Sequence, residues 1–251
     1  MKKLLYLLLL LSSMANSQWV TRQYLPYYSS SCFVNGTNIC FAVSDNSCIR
    51  KSTDGGITWQ NQAGNYANGF ADVFFANQNT GWASGQGGIL RSTTNGGTNW
   101  FTQSSGTNFD LAGIHFVNAS TGFICSIGSV IMTTNTGNNW SVIPVGGNQY
   151  RDIQFINQNT GIVCGASGSI NTTTNSGLNW TAQSSGTNEI LNTVKYFTGG
   201  TCFIGTSGGK ILKSTSYGVN WIIINTGTTE EITSLCNLNN GFGFFCTAAG
   251  K

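Results

Sequence analysis

Charge is scarce in this 251-residue sequence. Lys and Arg number 11, Asp and Glu 8, and the net charge is +3. So few cations form no basic stripe for a nucleic-acid backbone. His115 is the single histidine and no Cys-x-x-Cys pair occurs, which argues against a metal centre of the zinc type. There is no Gly-x-Ser-x-Gly elbow, no P-loop and no dinucleotide fingerprint. Beyond the first residues no run reaches about 18 unbroken apolar residues, so no later membrane span is expected. No helix of useful length is expected in the same region. Low charge does not mean disorder here. Hydrophobic residues make up 40% and fall in short alternating runs, which can cover a core.

The opening residues read as a targeting segment. Lys2 and Lys3 precede an apolar run over residues 4–11, and Ala15-Asn16-Ser17 offers small residues for cleavage. The reading is a secretory signal peptide over residues 1–17, cut after Ser17, with a domain over residues 18–251. It makes the protein secreted or displayed at a cell surface. No Cys follows the cut, which argues against a lipoprotein anchor.

What the sequence has in plenty is periodicity. Trp19, Trp59, Trp100, Trp140, Trp180 and Trp221 follow one another at steps of 40 or 41 residues, and only Trp82 stands outside the series. Such a period marks stacked supersecondary units. The unit ending at Trp180 shows what each contains. An alternating strand runs over residues 150–156, followed by the turn Asn157-Gln158-Asn159-Thr160-Gly161. Short strands at 162–164 and 169–172 come next, each followed by a Gly-bearing turn, and a fourth strand opens at Asn179-Trp180. Four short strands per forty residues describe one propeller blade. The predicted fold is an all-β propeller of four-stranded antiparallel blades, about six in number.

Both ends carry parts of a blade. Gln18-Trp19 reads as a fourth strand, and residues 232–251 as a first and second strand. Pairing them would close five complete blades and one composite one, which removes exposed edges. The alternative is a longer protein that continues past Lys251.

The third turn of each unit carries a recognisable motif. Ser52-Thr53-Asp54-Gly55-Gly56-Ile57-Thr58-Trp59 matches Ser/Thr-x-Asp-x-Gly-x-Thr-Trp at every defined position. Later copies keep the hydroxyl, the glycine and the tryptophan: Thr93, Gly97 and Trp100; Thr133, Gly137 and Trp140; Thr173, Gly177 and Trp180. They carry Asn95, Asn135 and Asn175 in place of the aspartate. The copy at Ser214, Gly218 and Trp221 has Ser216 there. These Asp-boxes in phase resemble the BNR-repeat propellers, and within them the photosystem II assembly/stability factor-like group. The resemblance covers about residues 19 to 251. It implies a propeller fold and a non-enzymatic module that binds or assembles with a partner through one face. That partner would be an exported or cell-surface protein, or a glycan. No cofactor is implied. Exchange of Asp for Asn keeps the hydrogen-bond acceptor and loses the charge, so the boxes read as structural turns and not as cation sites.

Sialidases and some endoglucanases also carry such boxes, so a carbohydrate-active propeller is the alternative. The four arginines, Arg22, Arg50, Arg91 and Arg151, do not form a recognisable carboxylate clasp in the sequence. A glycosidase also needs two opposed carboxylates. Asp72 and Asp152 fall at equivalent repeat positions and read as structural. A third possibility is a structural repeat segment of a larger surface protein.

Specificity is expected where the repeat breaks down. The connections from a fourth strand to the next first strand hold Tyr66, Phe109, Asp110, Tyr150, Arg151, Glu189, Glu230 and Glu231. Alternation of strand direction puts them on one face, ringing the channel mouth, with the boxes opposite. These are the candidate partner-binding residues; no catalytic residue is assigned. Of eight cysteines, Cys125 and Cys164 recur at one strand position and read as small buried hydrophobes. Cys32, Cys40 and Cys48 are the best disulfide candidates, because secretion permits disulfides.

Overall fold

A computed structural model describes residues 28–63, 68–237 and 243–248. Residues 1–17, Trp19 and Tyr66, and with them the expected pairing of the two chain ends, lie outside the described residues.

Blade I is β1 (Tyr28–Phe33), β2 (Cys40–Ser44), β3 (Ile49–Ser52) and β4 (Gln60–Ala63). Blade II is β5 (Phe70–Phe75), β6 (Gly81–Gly85), β7 (Leu90–Thr93) and β8 (Phe101–Gln103). Blades III and IV share one six-stranded sheet: β9 (Leu111–Phe116), β10 (Gly122–Thr133), β11 (Ser141–Phe155), β12 (Gly161–Gly165), β13 (Ile170–Thr173) and β14 (Thr181–Gln183). There β10 runs through a second- and a third-strand position. β11 runs through the outer strand of blade III, where Val130 faces Ile143, into the first strand of blade IV, where Ile153 faces Val163. Blade V is β15 (Leu191–Tyr196), β16 (Cys202–Thr206), β17 (Lys210–Ser214) and β18 (Ile222–Asn225). Blade VI is described through β19 (Ile232–Asn237) and β20 (Gly243–Thr247), paired antiparallel. Among the described residues, helical geometry is confined to three short 3-10 turns, and no helix is long and apolar enough to cross a membrane.

The first strands neighbour one another in order, β1 to β5 to β9 to β11 to β15 to β19. Side chains staple them across the seams. Asp72 accepts from the Ser30 hydroxyl of the preceding blade and from the Ile114 N–H of the following one, at 2.5 and 2.8 Å. Asp152 repeats the second contact with the Val194 N–H at 2.8 Å. Their structural reading thus has a defined geometry.

Aromatic stacking fills the seams. A large second-strand residue of one blade lies flat on the first-strand aromatic of the next: Phe41 on Phe75 at 3.8 Å, Trp82 on Phe116 at 3.8 Å, Phe123 on Phe155 at 4.0 Å. The box tryptophan of the later blade meets that aromatic edge-on: Trp100, Trp140 and Trp180 each stand 5.9 Å away, near perpendicular. Between blades IV and V the same places are taken by Ile162, Tyr196 and Trp221. Offset and T-shaped pairs together exploit both faces and edges of the rings. Trp82, outside the forty-residue series, is fully buried in its seam.

Cys40, Cys125, Cys164 and Cys202 are buried, and burial pushes their thiols upward, to about 11 for Cys40 and about 12 for Cys202. Cys32, Cys40 and Cys48 are thiols in this structure, not the disulfide partners their proximity suggested. Cys32 and Cys40 sit on the paired strands β1 and β2, but Cys40 faces Phe33 and Cys32 faces Phe41.

Candidate functional site

The two faces of the propeller differ in kind. On one, each box turn is tied to the turn between the first and second strands of its own blade. Backbone N–H groups of Gly55, Gly96, Thr136, Ser176 and Tyr217 donate to the carbonyls of Asn38, Asn79, Ser120, Asn159 and Gly200, at 2.8–3.1 Å. Within a box, the hydroxyl at the first position accepts from the glycine N–H four residues on, as Thr133 does from Gly137 at 3.0 Å. The Asn or Asp at the third position accepts from the N–H before the tryptophan, as Asn135 does from Asn139 at 2.9 Å. Trp140 closes the turn by donating to the Gly137 carbonyl at 3.1 Å. Asp54 makes more of these bonds, accepting from the Ser52 and Thr58 hydroxyls and from the Ile57 and Thr58 N–H groups. Those donors, the Thr58 hydroxyl first, hold its carboxyl well below the usual range. Ser216 substitutes with its hydroxyl, which accepts from Asn220 N–H at 2.9 Å.

On the opposite face the turns between second and third strands meet the connections that enter the next blade. Asp110 accepts from the Gly87 N–H at 2.8 Å, and Ser105 donates to the Gly88 carbonyl at 2.9 Å. The Glu189 carbonyl accepts from the Gly168 N–H at 2.8 Å, and its carboxylate pairs with Lys210 Nζ at 2.5 Å. That ammonium holds Glu189 below the usual carboxylate range. Glu230 caps its own connection by donating its N–H to Thr228 Oγ1 at 3.0 Å, and the Glu231 carbonyl accepts from the Ala248 N–H at 2.9 Å.

Exposure sorts the predicted residues further. Phe109 is 58% exposed, too much for a core aromatic. Asp110 is exposed; Arg151, Glu189, Glu230 and Glu231 are half-buried. Tyr150 is a correction. It is 1% exposed and opens the first strand of blade IV, in phase with Phe70, Leu111, Leu191 and Ile232, which are all buried. Its hydroxyl lies 2.8 Å from both the Gly146 carbonyl and Asn171 Oδ1, two acceptors for its one proton inside the protein. Tyr150 is a core residue and cannot touch a partner. Arg151 follows it inside β11, at a bulge between Tyr150 and Asp152, and its Nε is buried with no hydrogen-bond partner. Bulges re-aim side chains at rims of this kind.

His115 and Lys195 sit at equivalent first-strand places. His115 is held between Phe74 and Phe155 rings at 5.9 and 6.3 Å, and burial, aided by Lys195, lowers it to about 4. Burial likewise raises Asp72 to about 6. Among the described residues no group of three or more His, Cys, Asp or Glu side chains converges as a metal site would require. A cavity of about 330 Å³ lies between blades V and VI, and among the described residues no carboxylate lines it.

Comparison with known proteins gives a consistent picture. The sequence profile described as "Photosynthesis system II assembly factor YCF48" matches residues 31–146 and 59–199. YCF48 from Cyanidioschyzon merolae superposes with a TM-score of 0.70 at 15% identity, over 88% of this chain and 79% of that one. A structure described as YCF48 bound to D1 peptide gives 0.59 at 20% identity, over 71% and 60%. An ancestral GH74 enzyme gives 0.63 at 18% identity, over 82% of this chain but 32% of that one. At these identities the structural likeness speaks for the fold alone. No curated protein sequence matches.

Proposed function

Since the chain belongs to the photosynthesis system II assembly factor YCF48 family, we propose that it is a protein-binding assembly module. It grips a segment of a partner on the face made by the blade-to-blade connections. One observation carries this: the box face repeats the same hydrogen-bonded turn in every complete blade, whereas on the connection face a shared Thr-capped turn presents different residues from blade to blade, Phe109-Asp110, Glu189-Ile190 and Glu230-Glu231. A surface that repeats cannot tell one partner from another, and varied loops on a rigid scaffold can. That face carries the exposed Phe109 ring and the exposed Asp110 carboxylate, beside the half-buried Arg151 and Glu231. A protein segment with backbone carbonyls, a carboxylate and an apolar side chain suits these groups. The relative solved with a bound D1 peptide supports a peptide ligand in kind. The signal-like residues 1–17 place the encounter outside the cytoplasm in this reading, with co-exported proteins as the partner pool.

The experiment is a binding screen against co-exported proteins, with cell-surface glycans as a second arm. It is repeated with two sets of variants. Phe109→Ala, Arg151→Ala and Glu231→Ala should each weaken binding about tenfold or more, as central interface groups do, at unchanged stability. Asn135→Ala and Asn175→Ala should lower stability and leave the affinity of the folded fraction unchanged. Loss of binding in the box variants alone, at unchanged stability, would assign the wrong face. A glycan hit without a protein hit would replace the partner class.

A further inference from the structure

The dipeptide Asn-Gly occurs four times, beginning at Asn35, Asn68, Asn95 and Asn240. In this pair the backbone nitrogen of the glycine can attack the side-chain amide before it, because no β-carbon stands in the way. Asn240 lies outside the described residues. The fold treats the other three differently.

Asn95 belongs to the box of blade II. Its Oδ1 accepts from the Thr93 hydroxyl and the Asn99 N–H, at 3.0 and 2.9 Å. The Gly96 N–H donates to the Asn79 carbonyl at 2.9 Å, and the Gly96 carbonyl accepts from Lys51 Nζ at 2.8 Å. Both reacting groups are therefore engaged. Asn68 is half-buried, and its carbonyl accepts from the Ser47 hydroxyl at 3.0 Å. Gly69 is buried so tightly that a β-carbon there would fall 2.3 Å from the Asp45 carbonyl oxygen. That peptide has no room to turn.

Asn35 and Gly36 are both exposed, in the turn that joins β1 to β2. The Thr37 N–H donates to the Val34 carbonyl at 3.1 Å, so they are the two central residues of a β-turn, with Gly36 at φ +74°. The peptide between two such residues can rotate while the closing bond stays, since type I and type II turns differ by that rotation. The Thr37 hydroxyl, on the same carbonyl at 2.8 Å, helps to keep the turn shut. Among the described residues nothing bonds the Asn35 amide or the Gly36 N–H, and a β-carbon on Gly36 would meet nothing within 4 Å.

We propose that Asn35 is a self-modification site, where the chain deamidates without an enzyme. The Gly36 nitrogen loses its proton and attacks Asn35 Cγ. The bond from Cγ to the side-chain nitrogen breaks, and ammonia leaves with that proton. A five-membered succinimide results. Water opens it at either carbonyl, which leaves an aspartyl residue or an isoaspartyl one whose main chain runs through the former side chain. Either product adds a negative charge to the box face, in a protein with few charges. The isoaspartyl product also lengthens the main chain of the turn. That turn holds box I, because Gly55 N–H donates to the Asn38 carbonyl at 2.8 Å.

Incubation of the folded full chain at neutral pH, followed by peptide mapping with mass spectrometry, tests this. The chain carries its own controls. Asn35 should convert about tenfold or more faster than Asn95 and Asn68. Tenfold corresponds to about 1.4 kcal/mol, the order of the hydrogen bonds that Asn95 must first break. Fragmentation should show the isoaspartyl form beside the aspartyl one, and intact protein should gain a more acidic species on ion exchange. Asn35→Gln, which would need a six-membered ring, should remove that species. In urea, with the turns gone, Asn35 and Asn95 should convert at similar rates. Conversion of Asn35 no faster than that of Asn95 in the folded chain would overturn the proposal. So would the same excess at Asn35 in urea, because neighbouring sequence and not the fold would then select the site.

Discussion

Two glycines with the same backbone angle separate seam packing from turn geometry. Gly137 has φ +79° and Gly146 has φ +80°. An alanine at either place adopts the left-handed region at a cost of roughly 1–2 kcal/mol. Both also gain the same stabilisation from a less flexible unfolded chain, about 0.4–1 kcal/mol. These contributions cancel between the two variants. What differs is the surroundings. A β-carbon on Gly146 meets nothing within 4 Å, whereas on Gly137 it falls 2.4 Å from Trp82 Nε1 and 3.4 Å from the Trp140 ring. Trp82 cannot yield, because it is stacked at 3.8 Å on Phe116. Overpacking of that kind costs about 1–3 kcal/mol. Gly137→Ala should therefore be less stable than Gly146→Ala by about 1–3 kcal/mol, seen as a lower urea midpoint at equal slope. Equal midpoints would show that the box glycine is needed for its angle alone, and that the seam does not depend on close approach.

Other consequences follow from the same geometry. Trp82→Ala and Trp140→Ala should each cost about 3–5 kcal/mol in urea unfolding; loss of under 1 kcal/mol at Trp82 would contradict its place in the seam. Asn135→Ala removes the acceptor for the Thr133 hydroxyl and the Asn139 N–H and should cost about 1–2 kcal/mol, while Asn135→Asp keeps the acceptor and should hold the midpoint. Stability should be nearly level between pH 4 and 6.5, because two opposed groups titrate there. Asp72 is raised from 3.8 to about 6, so its contribution is full below pH 3.8 and is lost as pH rises through 6, by about 3 kcal/mol. His115 is lowered from 6.5 to about 4, so its contribution is full above pH 6.5 and is lost as pH falls through 4, by a similar amount. His115→Phe installs the residue that Phe74 supplies at the equivalent place. In that variant only the Asp72 effect remains, and stability should fall with rising pH across that window; a level profile would refute the assignment.

The forty-residue step makes the blades legible because each box must return to the same place over the same kind of hairpin. Blade fusion through β10 and β11 is not legible. It arises where the pairing of Ile127 with Gln149 carries the ladder past the turns at residues 127–128 and 146–149, in which Gly128, Gly146 and Gly147 take positive φ as turn glycines do elsewhere in the chain. Trp82 escapes the periodic reading because its neighbours in phase are Phe41, Phe123, Ile162 and Phe203, not tryptophans. Alignment on Cys40, Gly81, Gly122, Gly161 and Cys202, the residues just before them, exposes the position. Tyr150 is misplaced by the sequence for the opposite reason. Its setting between two strands suggests a loop aromatic, although Phe70, Leu111, Leu191 and Ile232 occupy the same first-strand place and are apolar. Arg151 then follows at the bulge that every described first strand carries near this point, which brings a strand residue to the rim.

The boxes contain the protein's most conspicuous carboxylate, and the structure explains why it is not a binding group. Asp54 oxygens already accept from two hydroxyls and two backbone N–H groups inside their own turn. A cation would have to displace donors that the fold needs. The Asn boxes make the shared part of that pattern with a neutral oxygen, and Ser216 makes its bond with a hydroxyl. The turn therefore asks for an acceptor and not for charge. Charge is rare in this sequence, and much of what remains outside the boxes stands at the blade-to-blade connections. There Asp110 and Glu189 each bond a glycine N–H of the preceding turn, which fixes the loops that carry them. A rigid loop loses little entropy on meeting a partner, so a few groups such as Phe109 and Arg151 can suffice for recognition. Selectivity then rests on the residues that the repeat leaves free to vary.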